Sequence, residues 1–341
     1  MVKGPGKSRI VQDLVEYNSC LISQYSSIES PLKSMLSLAG SNFFYKFDLK
    51  AAWHQVPLNP DSIASQAWSC PQGVYVYKYG CMQGDKNIPS FFYRIFRPII
   101  NELNNKYMVE HIEARLASYF DDLTAGAGTE IALIKAMRIL FEICEFYNIK
   151  LSMPKLAGSI GFQSTVFVGF LIQDGKWNLN PTQYEKFLRL PCPTTKKSLL
   201  SWLGLLEYFH KNLPDSYRVT NAFSELRKKS APATFELTEE IISAFELAKT
   251  LIVKAQHNPL AFLDESKEIY VKCDASEIGC GAHMFQLDDN GEPVDLLFTS
   301  KLFSPAVRAW SVTRQEALAL FHGVFQFRWL LEGHSFSLIT D

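Results

Sequence analysis

The chain has 341 residues, 47% of them apolar, which is ample for two or three packed domains and excludes global disorder. It has no run of 18 uninterrupted apolar residues, and the opening MVKGPGKSRI has no apolar core, so neither a membrane span nor a signal peptide is expected. The net charge of -1 does not announce a nucleic-acid binder, and the seven scattered cysteines form no CxxC pair, so they read as reduced, mostly buried thiols of a cytoplasmic protein.

In chain order, GPGKSR is a Gly/Pro turn flanked by bases, and residues 42–48 (NFFYKFD) read as a strand ending on Asp48. Residues 73–79 (GVYVYKY) are aromatic and β-branched, hence a strand. Residues 88–105 carry apolar side chains at helical spacing, with Pro89 at home in the first turn and Pro98 expected to kink or end the first half. Residues 112–120 and the following DDLTAGAG predict a hairpin with two Asp at its tip, and residues 130–147 an amphipathic helix. Residues 164–180 look like two strands around an Asp-Gly turn. Strands and helices thus alternate in an α+β pattern to about residue 180.

After Pro181 the texture changes. Residues 182–228 are mostly helical, and residues 238–255 form a further helix. From Glu268 strands return, followed by a helix over about 313–332 and a last strand, SFSLITD. Charge is unevenly spread: residues 176–230 hold ten Lys/Arg against four Asp/Glu. Basic charge gathered on one element suits a phosphate backbone, although an ordinary solvated helical surface has the same look.

Nucleotidyl transfer needs two divalent ions about 4 Å apart, held largely by carboxylates on a rigid sheet. Asp48 ends one predicted strand, and Asp121 and Asp122 follow at a hairpin tip 73 residues later. Successive strand residues face opposite sides, so the Asp pair needs the turn to re-aim one of them.

These residues carry a resemblance. YFDD (Tyr119–Asp122) is similar to the YxDD box of reverse transcriptases, and FYKFDLKAAWHQV (Phe44–Val56) resembles the FDLxxxYHQI segment of gypsy-type retrotransposons and retroviruses. SRIVQDLVEYN (Ser8–Asn18) resembles the fingers segment, MQGDKNIPSFFYRI (Met82–Ile95) the PQGxxxSP segment, and STVFVGFLI (Ser164–Ile172) the primer-grip segment. The resemblance implies metal binding by Asp48, Asp121 and Asp122. It implies triphosphate contacts from Arg9, with Lys3 and Lys7 as helpers, and from Lys155 in PKLAG. Gln83 and Gly84 would lie against the nucleotide sugar and base, beside the Leu49–Ala51 turn, whose Lys50 and Ala51 amides would meet phosphate. Trp53 falls where the family carries its steric gate, whose ring crowds a 2′-hydroxyl; the plain alternative is a core tryptophan. Val15 departs from the Arg usual there. Primer and template would be met by Tyr119, by Phe167, Val168 and Gly169, and by Lys196 and Lys197 of a thumb-like LRLPCPTTKKSLLSWLGLLEYFHKNL.

Further on, VKCDASEIGCGAHMFQ (Val271–Gln286) and SVTRQEALALFHGVFQFRWLLEGHSFSLITD (Ser311–Asp341) resemble the first part of a retroelement RNase H. Asp274, Glu316 and Asp341 become its first three metal carboxylates; singly, each also reads as an ordinary turn or surface acid. The implied fold is α+β: a right-hand polymerase with fingers, a palm built on a ferredoxin-like antiparallel sheet and a helical thumb, then a truncated RNase H-like α/β domain. The expected boundaries are fingers and palm over 1–180, thumb over 181–230, connection over 231–266 and RNase H-like domain over 267–341.

The implied activity is RNA-directed DNA polymerase with two Mg2+ per active site, Mn2+ substituting. The implied partners are an RNA or DNA template with primer, RNA–DNA hybrid and deoxynucleoside triphosphates, with no membrane. The setting is the cytoplasm, in virus-like particles with nuclear access. The ends resemble cuts within a longer pol polyprotein with protease and integrase segments, so RNase H activity is expected only from the full-length form. A catalytically decayed or domesticated remnant that binds nucleic acid or acts as a scaffold is the alternative.

Overall fold

The computed structural model describes residues 13–77, 80–152 and 160–340. The chain divides into two compact units, Met1–Val168 and Gly169–Asp341.

The first unit runs α1 (Val15–Cys20), α2 (Pro31–Leu36), β1 (Phe43–Leu49), a 3-10 turn at Ala52–Gln55, α3 (Pro60–Ile63), the short hairpin β2 (Trp68–Cys70) and β3 (Gly73–Tyr75), then α4 (Ile88–Val109). It continues through β4 (Ala114–Tyr119), β5 (Asp122–Ala127), α5 (Glu130–Phe146), β6 (Leu151–Ser152), β7 (Ile160–Phe162) and β8 (Ser164–Phe167). The main sheet has the order β4-β5-β1-β6, with β7 also pairing with β1, and these pairs are antiparallel.

Strand alternation decides the two faces of this sheet. Tyr45, Phe47 and Leu49 of β1, Leu116 of β4, and Leu123 and Ala125 of β5 pack into one core with Phe92, Leu103 and Tyr107 of α4 and Leu133, Ala136, Ile139 and Leu140 of α5. Each such large side chain contributes roughly 1.5–3 kcal/mol by leaving water. The buried Tyr107 hydroxyl donates to the Ala136 carbonyl at 3.0 Å, so its burial leaves no unpaired donor. The opposite face carries Lys46, Asp48 and Asp122.

Three sequence expectations need correction here. Helix α4 continues through Pro98 to Val109 instead of ending in its first half. A helix-interior proline costs about 3 kcal/mol, but Phe92 and Phe96 before it and Leu103 and Tyr107 after it are all buried, and that burial outweighs the cost. β3 is shorter than 73–79: its described part ends at Tyr75, and residues 78–79 lie outside the described residues. Residues 164–180 form three strands and not two, because Val168–Gly169 makes a second tight turn beside Asp174–Gly175. All four turn residues adopt positive φ. A Val-Gly pair is a weak turn signal in sequence, whereas Asp-Gly is a strong one.

The second unit opens with β9 (Phe170–Gln173) and β10 (Lys176–Leu179), then α6 (Pro181–Leu188), α7 (Lys196–Phe209), α8 (Ser216–Ala222) and α9 (Glu239–His257). Thr195 and Ser198 cap α7 reciprocally, a start that a Thr-Lys-Lys-Ser sequence supplies. Trp202 of α7 packs with Phe187, Phe223 and Phe245, which joins the four helices into one apolar core. After β11 (Leu260–Ala261) come β12 (Ile269–Ala275), β13 (Gly279–Leu287), β14 (Pro293–Leu302), α10 (Pro305–Arg308), α11 (Val312–Leu331) and β15 (Phe336–Ile339). The last sheet is ordered β14-β13-β12-β15, with three antiparallel strands and β15 parallel to β12. Among the described residues no helix is long and apolar enough to cross a membrane.

Candidate active site

Antiparallel pairing of β1 with β5 sets Asp48 directly opposite Asp122, and pairing of β4 with β5 sets Tyr119 opposite Asp122 on the other side. Tyr119, Asp122 and Asp48 thus form a row across three strands on the face opposite the core made with α4 and α5. Asp121 joins them at the backbone: the Leu49 amide donates to its carbonyl at 3.2 Å. The hairpin loop is only Phe120–Asp121, and Phe120 holds φ at +53°. Left-handed backbone at a bulky aromatic is strained, a condition that clusters at functional sites. Asp121 is the second residue of that turn, while Asp122 is already the first residue of β5 and not part of the tip.

Lys46, two residues before Asp48, places its ammonium 3.0 Å from Asp122 Oδ1 and 3.1 Å from Oδ2, and donates to the Val166 carbonyl at 2.7 Å. The Val168 amide donates to Asp122 Oδ2 at 3.4 Å. Asp122 Oδ1 is buried without a well-aligned hydrogen bond even though the ammonium is near it, so its compensation is charge alone. Burial pushes the Asp122 carboxyl above its ordinary value, Lys46 and the Val168 amide pull it back, and Asp48 adds to the rise. Among the described residues no group of three or more His, Cys, Asp or Glu side chains is gathered closely enough to hold an ion. The donor set nevertheless fits a hard cation, with oxygen-only ligands on adjacent strands and one carboxylate oxygen buried without an aligned donor.

Around this row, the Trp53 ring stands 5.0 Å from Phe92 and 5.8 Å from Phe120, so it borders the hairpin turn. Gly84 holds φ at +106°, a backbone reserved for glycine, and its carbonyl accepts from Asn18 Nδ2 at 3.0 Å. Asn18 Oδ1 accepts from the Lys86 amide, and Asn87 bonds the Gln24 amide and the Ile22 carbonyl, so residues 18–24 are laced to the Gln83–Gly84 loop. Gln55 clasps the carbonyls of Lys50 and Lys150 and accepts from the Lys150 amide. The Lys50 amide donates to the Lys150 carbonyl at 2.8 Å, which departs from its expected role toward phosphate because backbone pairing already engages it. Phe167 is fully buried, and Val168 and Gly169 form the turn after it.

Lys196 donates to the carbonyls of Lys228 and Lys229, so its charge is tied to its own unit, whereas Lys197 is exposed. Lys3, Lys7, Arg9, Lys155 and Asp341 lie outside the described residues. In the second unit Asp274 is exposed on β12, opposite Gly281, over which the Asp215 carboxylate packs. Glu316 accepts from Thr340 Oγ1 at 3.4 Å and adds to the rise of the Cys273 thiol, which burial pushes up to about 12.

Sequence reasoning missed Lys46, Asn18, Asn87, Gln55 and Asp215. Lys46 alone left a local signal: two residues before Asp48, it must share that side chain's face.

A carboxylate row on an antiparallel sheet backed by two helices defines a polymerase-type palm. Residues 7–204 match the family "Reverse transcriptase (RNA-dependent DNA polymerase)", and residues 237–338 match "RNase H-like domain found in reverse transcriptase". The chain belongs to the reverse transcriptase family. It is 26% identical over 340 residues to the retrovirus-related Pol polyprotein from transposon 297 of Drosophila melanogaster, covering 99% of this chain and 30% of that protein. It is 25% identical over 342 residues to the transposon Tf2-3 polyprotein of Schizosaccharomyces pombe, covering 99% of this chain and 24% of that one. The chain therefore spans less than a third of these relatives' length. The fold matches a foamy viral protease-reverse transcriptase dRH solved with double-stranded DNA, with a TM-score of 0.84 at 18% identity over 99% of this chain and 57% of that one. It also matches a foamy viral protease-reverse transcriptase solved with an RNA/DNA hybrid, with a TM-score of 0.78 at 17% identity over 97% of this chain and 43% of that one.

Proposed function

We propose that this chain is the polymerase-bearing segment of a retroelement pol polyprotein, extending a primer 3′-hydroxyl on an RNA or DNA template with deoxynucleoside triphosphates. The observation that carries the reading is the register match of Asp48 with Asp122, closed by the Leu49 amide on the Asp121 carbonyl. Asp48, Asp121 and Asp122 would hold two Mg2+, with Mn2+ as substitute. When bound, such a pair supplies Lewis-acid activation of the attacking hydroxyl and neutralises charge on the phosphates. Everything else is positioning, the main task a protein has in phosphoryl-type transfer.

In this reading Trp53 excludes a 2′-hydroxyl, Gln83 and Gly84 meet the sugar and base, and Leu49 supports the nucleotide turn. Arg9, with Lys3, Lys7 and Lys155, meets the triphosphate. Tyr119 and the Phe167–Gly169 turn hold the primer end, and Lys197 meets the backbone of the duplex or hybrid. The solved relatives that carry DNA and hybrid support nucleic acid as partner. Asp274, Glu316 and Asp341 belong to an RNase H activity exercised in the longer polyprotein. A cytoplasmic setting in virus-like particles, with nuclear access, completes the proposal.

The test is primer extension on a homopolymer template with Mg2+ or Mn2+. The wild-type chain is expected to extend, and Asp121→Asn to lose extension while keeping its fold and primer–template affinity. A wild-type chain that binds primer–template but never extends it would replace this reading with a non-catalytic nucleic-acid-binding or scaffold role.

A further inference from the structure

Lys46 has no place in the polymerase reading, yet among the described residues its side chain makes close contacts with a proposed ion ligand. It shares a strand face with Asp48 and sits one step diagonal to Asp122, its own register partner being Thr124. Its ammonium has three protons, and three oxygens surround it: Oδ1 and Oδ2 of Asp122 at 3.0 and 3.1 Å and the Val166 carbonyl at 2.7 Å. Val166 is two residues before Val168, whose amide reaches the same carboxylate at 3.4 Å. The Asp122 carboxylate is thereby fastened at both oxygens, and through Lys46 it is fastened to the strand end that leads into the Val168–Gly169 turn.

We infer that Lys46 is a positioning residue: it holds the Asp122 carboxylate on the Asp48 side of the sheet and couples that carboxylate to the turn proposed to carry the primer end. This rests on the polymerase reading above. The carboxylates of Asp48 and Asp122, opposite each other on adjacent strands, repel one another, and a fixed ammonium beside Asp122 relieves that repulsion before any cation arrives. A methionine of similar length keeps the packing and loses both the charge and the two donated hydrogen bonds, to Asp122 Oδ2 and the Val166 carbonyl. Partners that orient ion-binding side chains typically change affinity or activity 10- to 100-fold when removed.

Two measurements on the full chain test it, with Lys46→Met and Lys46→Gln beside the wild type. Free Mn2+ is counted by electron paramagnetic resonance during titration of the protein with primer–template, and the Mg2+ concentration giving half-maximal extension is read separately. Both variants are expected to bind Mn2+ about 10-fold more weakly and to need correspondingly more Mg2+, with primer–template affinity within about twofold of wild type. If Lys46→Met does not fold, Lys46→Gln, which keeps one donor for Val166, is read by the same criteria. Variants that match the wild type in Mn2+ affinity and Mg2+ requirement overturn the inference, as does a loss of rate that follows only the folded fraction. A wild type that binds primer–template without extending it sinks the polymerase reading instead, and the Mn2+ titration then still reports on Lys46.

Discussion

Trp53 shows how a single side chain is given an orientation by residues far from it in sequence. Its ring is held between Phe92 of α4 and Phe120 of the hairpin loop, at centroid distances of 5.0 and 5.8 Å. Trp53 is partly buried against the core of the first unit, a placement that suits a steric gate and a plain core tryptophan alike, so substitution has to separate the two. Trp53→Leu keeps much of the apolar contact and shortens the ring. It is expected to raise the ratio of ribonucleotide to deoxynucleotide kcat/KM by roughly 10-fold or more, because pocket discrimination on this scale comes from excluded volume. Steady-state extension with each nucleotide measures the ratio; a ratio unchanged beside a lowered Tm identifies Trp53 as core only. At this scale the acidic residues were legible because strand ends and a two-residue loop are local features. Lys46 and Asn18 were not, since their partners Asp122 and Gly84 lie 76 and 66 residues away. A lysine or asparagine in isolation reads as solvated surface.

At the scale of elements, most helices and strands follow from periodicity and caps, and the departures have nameable causes. Pro98 reads in sequence as a kink or an end because its local cost is visible, while the burial of Leu103 and Tyr107 beyond it, which removes the second alternative, appears only once α4 lies on the sheet. The extra strand came from a Val-Gly turn that carries little signal. Lys196 looked like a phosphate contact until the carbonyls at 228 and 229 were found around it. Helix α11 supplies a converse case, in which a residue that weakens a helix is required by its packing. Gly323 faces β12 and β13 so closely that an added Cβ would stand 2.7 Å from Cys273 Sγ and 2.9 Å from the Ala282 Cβ. By helix propensity alone Gly323→Ala would gain about 1 kcal/mol. Overpacking of this kind typically costs about 1–3 kcal/mol, and Ala282 Cβ is backbone-fixed and cannot turn away. The substitution is therefore expected to lower the urea midpoint of the chain; a raised midpoint would show that α11 can lift from the sheet at little cost.

For the whole molecule, a net charge of -1 means that nucleic-acid affinity has to come from local placement and not from bulk attraction. Basic residues buried within a unit do something different: they make its stability depend on pH. In the second unit, His210 and His322 flank Thr299, with His210 Nε2 and His322 Nε2 each 3.3 Å from its hydroxyl, and His210 Nδ1 lies 3.0 Å from Ser216 Oγ. Burial lowers both histidines from 6.5 to about 4, with Lys211 adding to the effect on His210 and Lys301, His210 and Lys211 to that on His322. Because the folded values lie below the unfolded one, the unfolded chain takes up more protons in this window. The pair costs nothing above pH 6.5, and stability falls as pH drops from 6.5 toward 4. For the deeply buried His210 the loss reaches at most about 3 kcal/mol, and only as the pH approaches the folded value of about 4; the two histidines are not additive because each raises the cost of charging the other. Urea denaturation of the full chain at steps from pH 7.5 to 4.5 is expected to show a flat midpoint above 6.5 and a steady decline below it. His322→Gln removes one of the two titrations while keeping a polar group for Thr299, so its decline is expected to be shallower. A variant profile that runs parallel to the wild type would assign the acid sensitivity to carboxylates elsewhere.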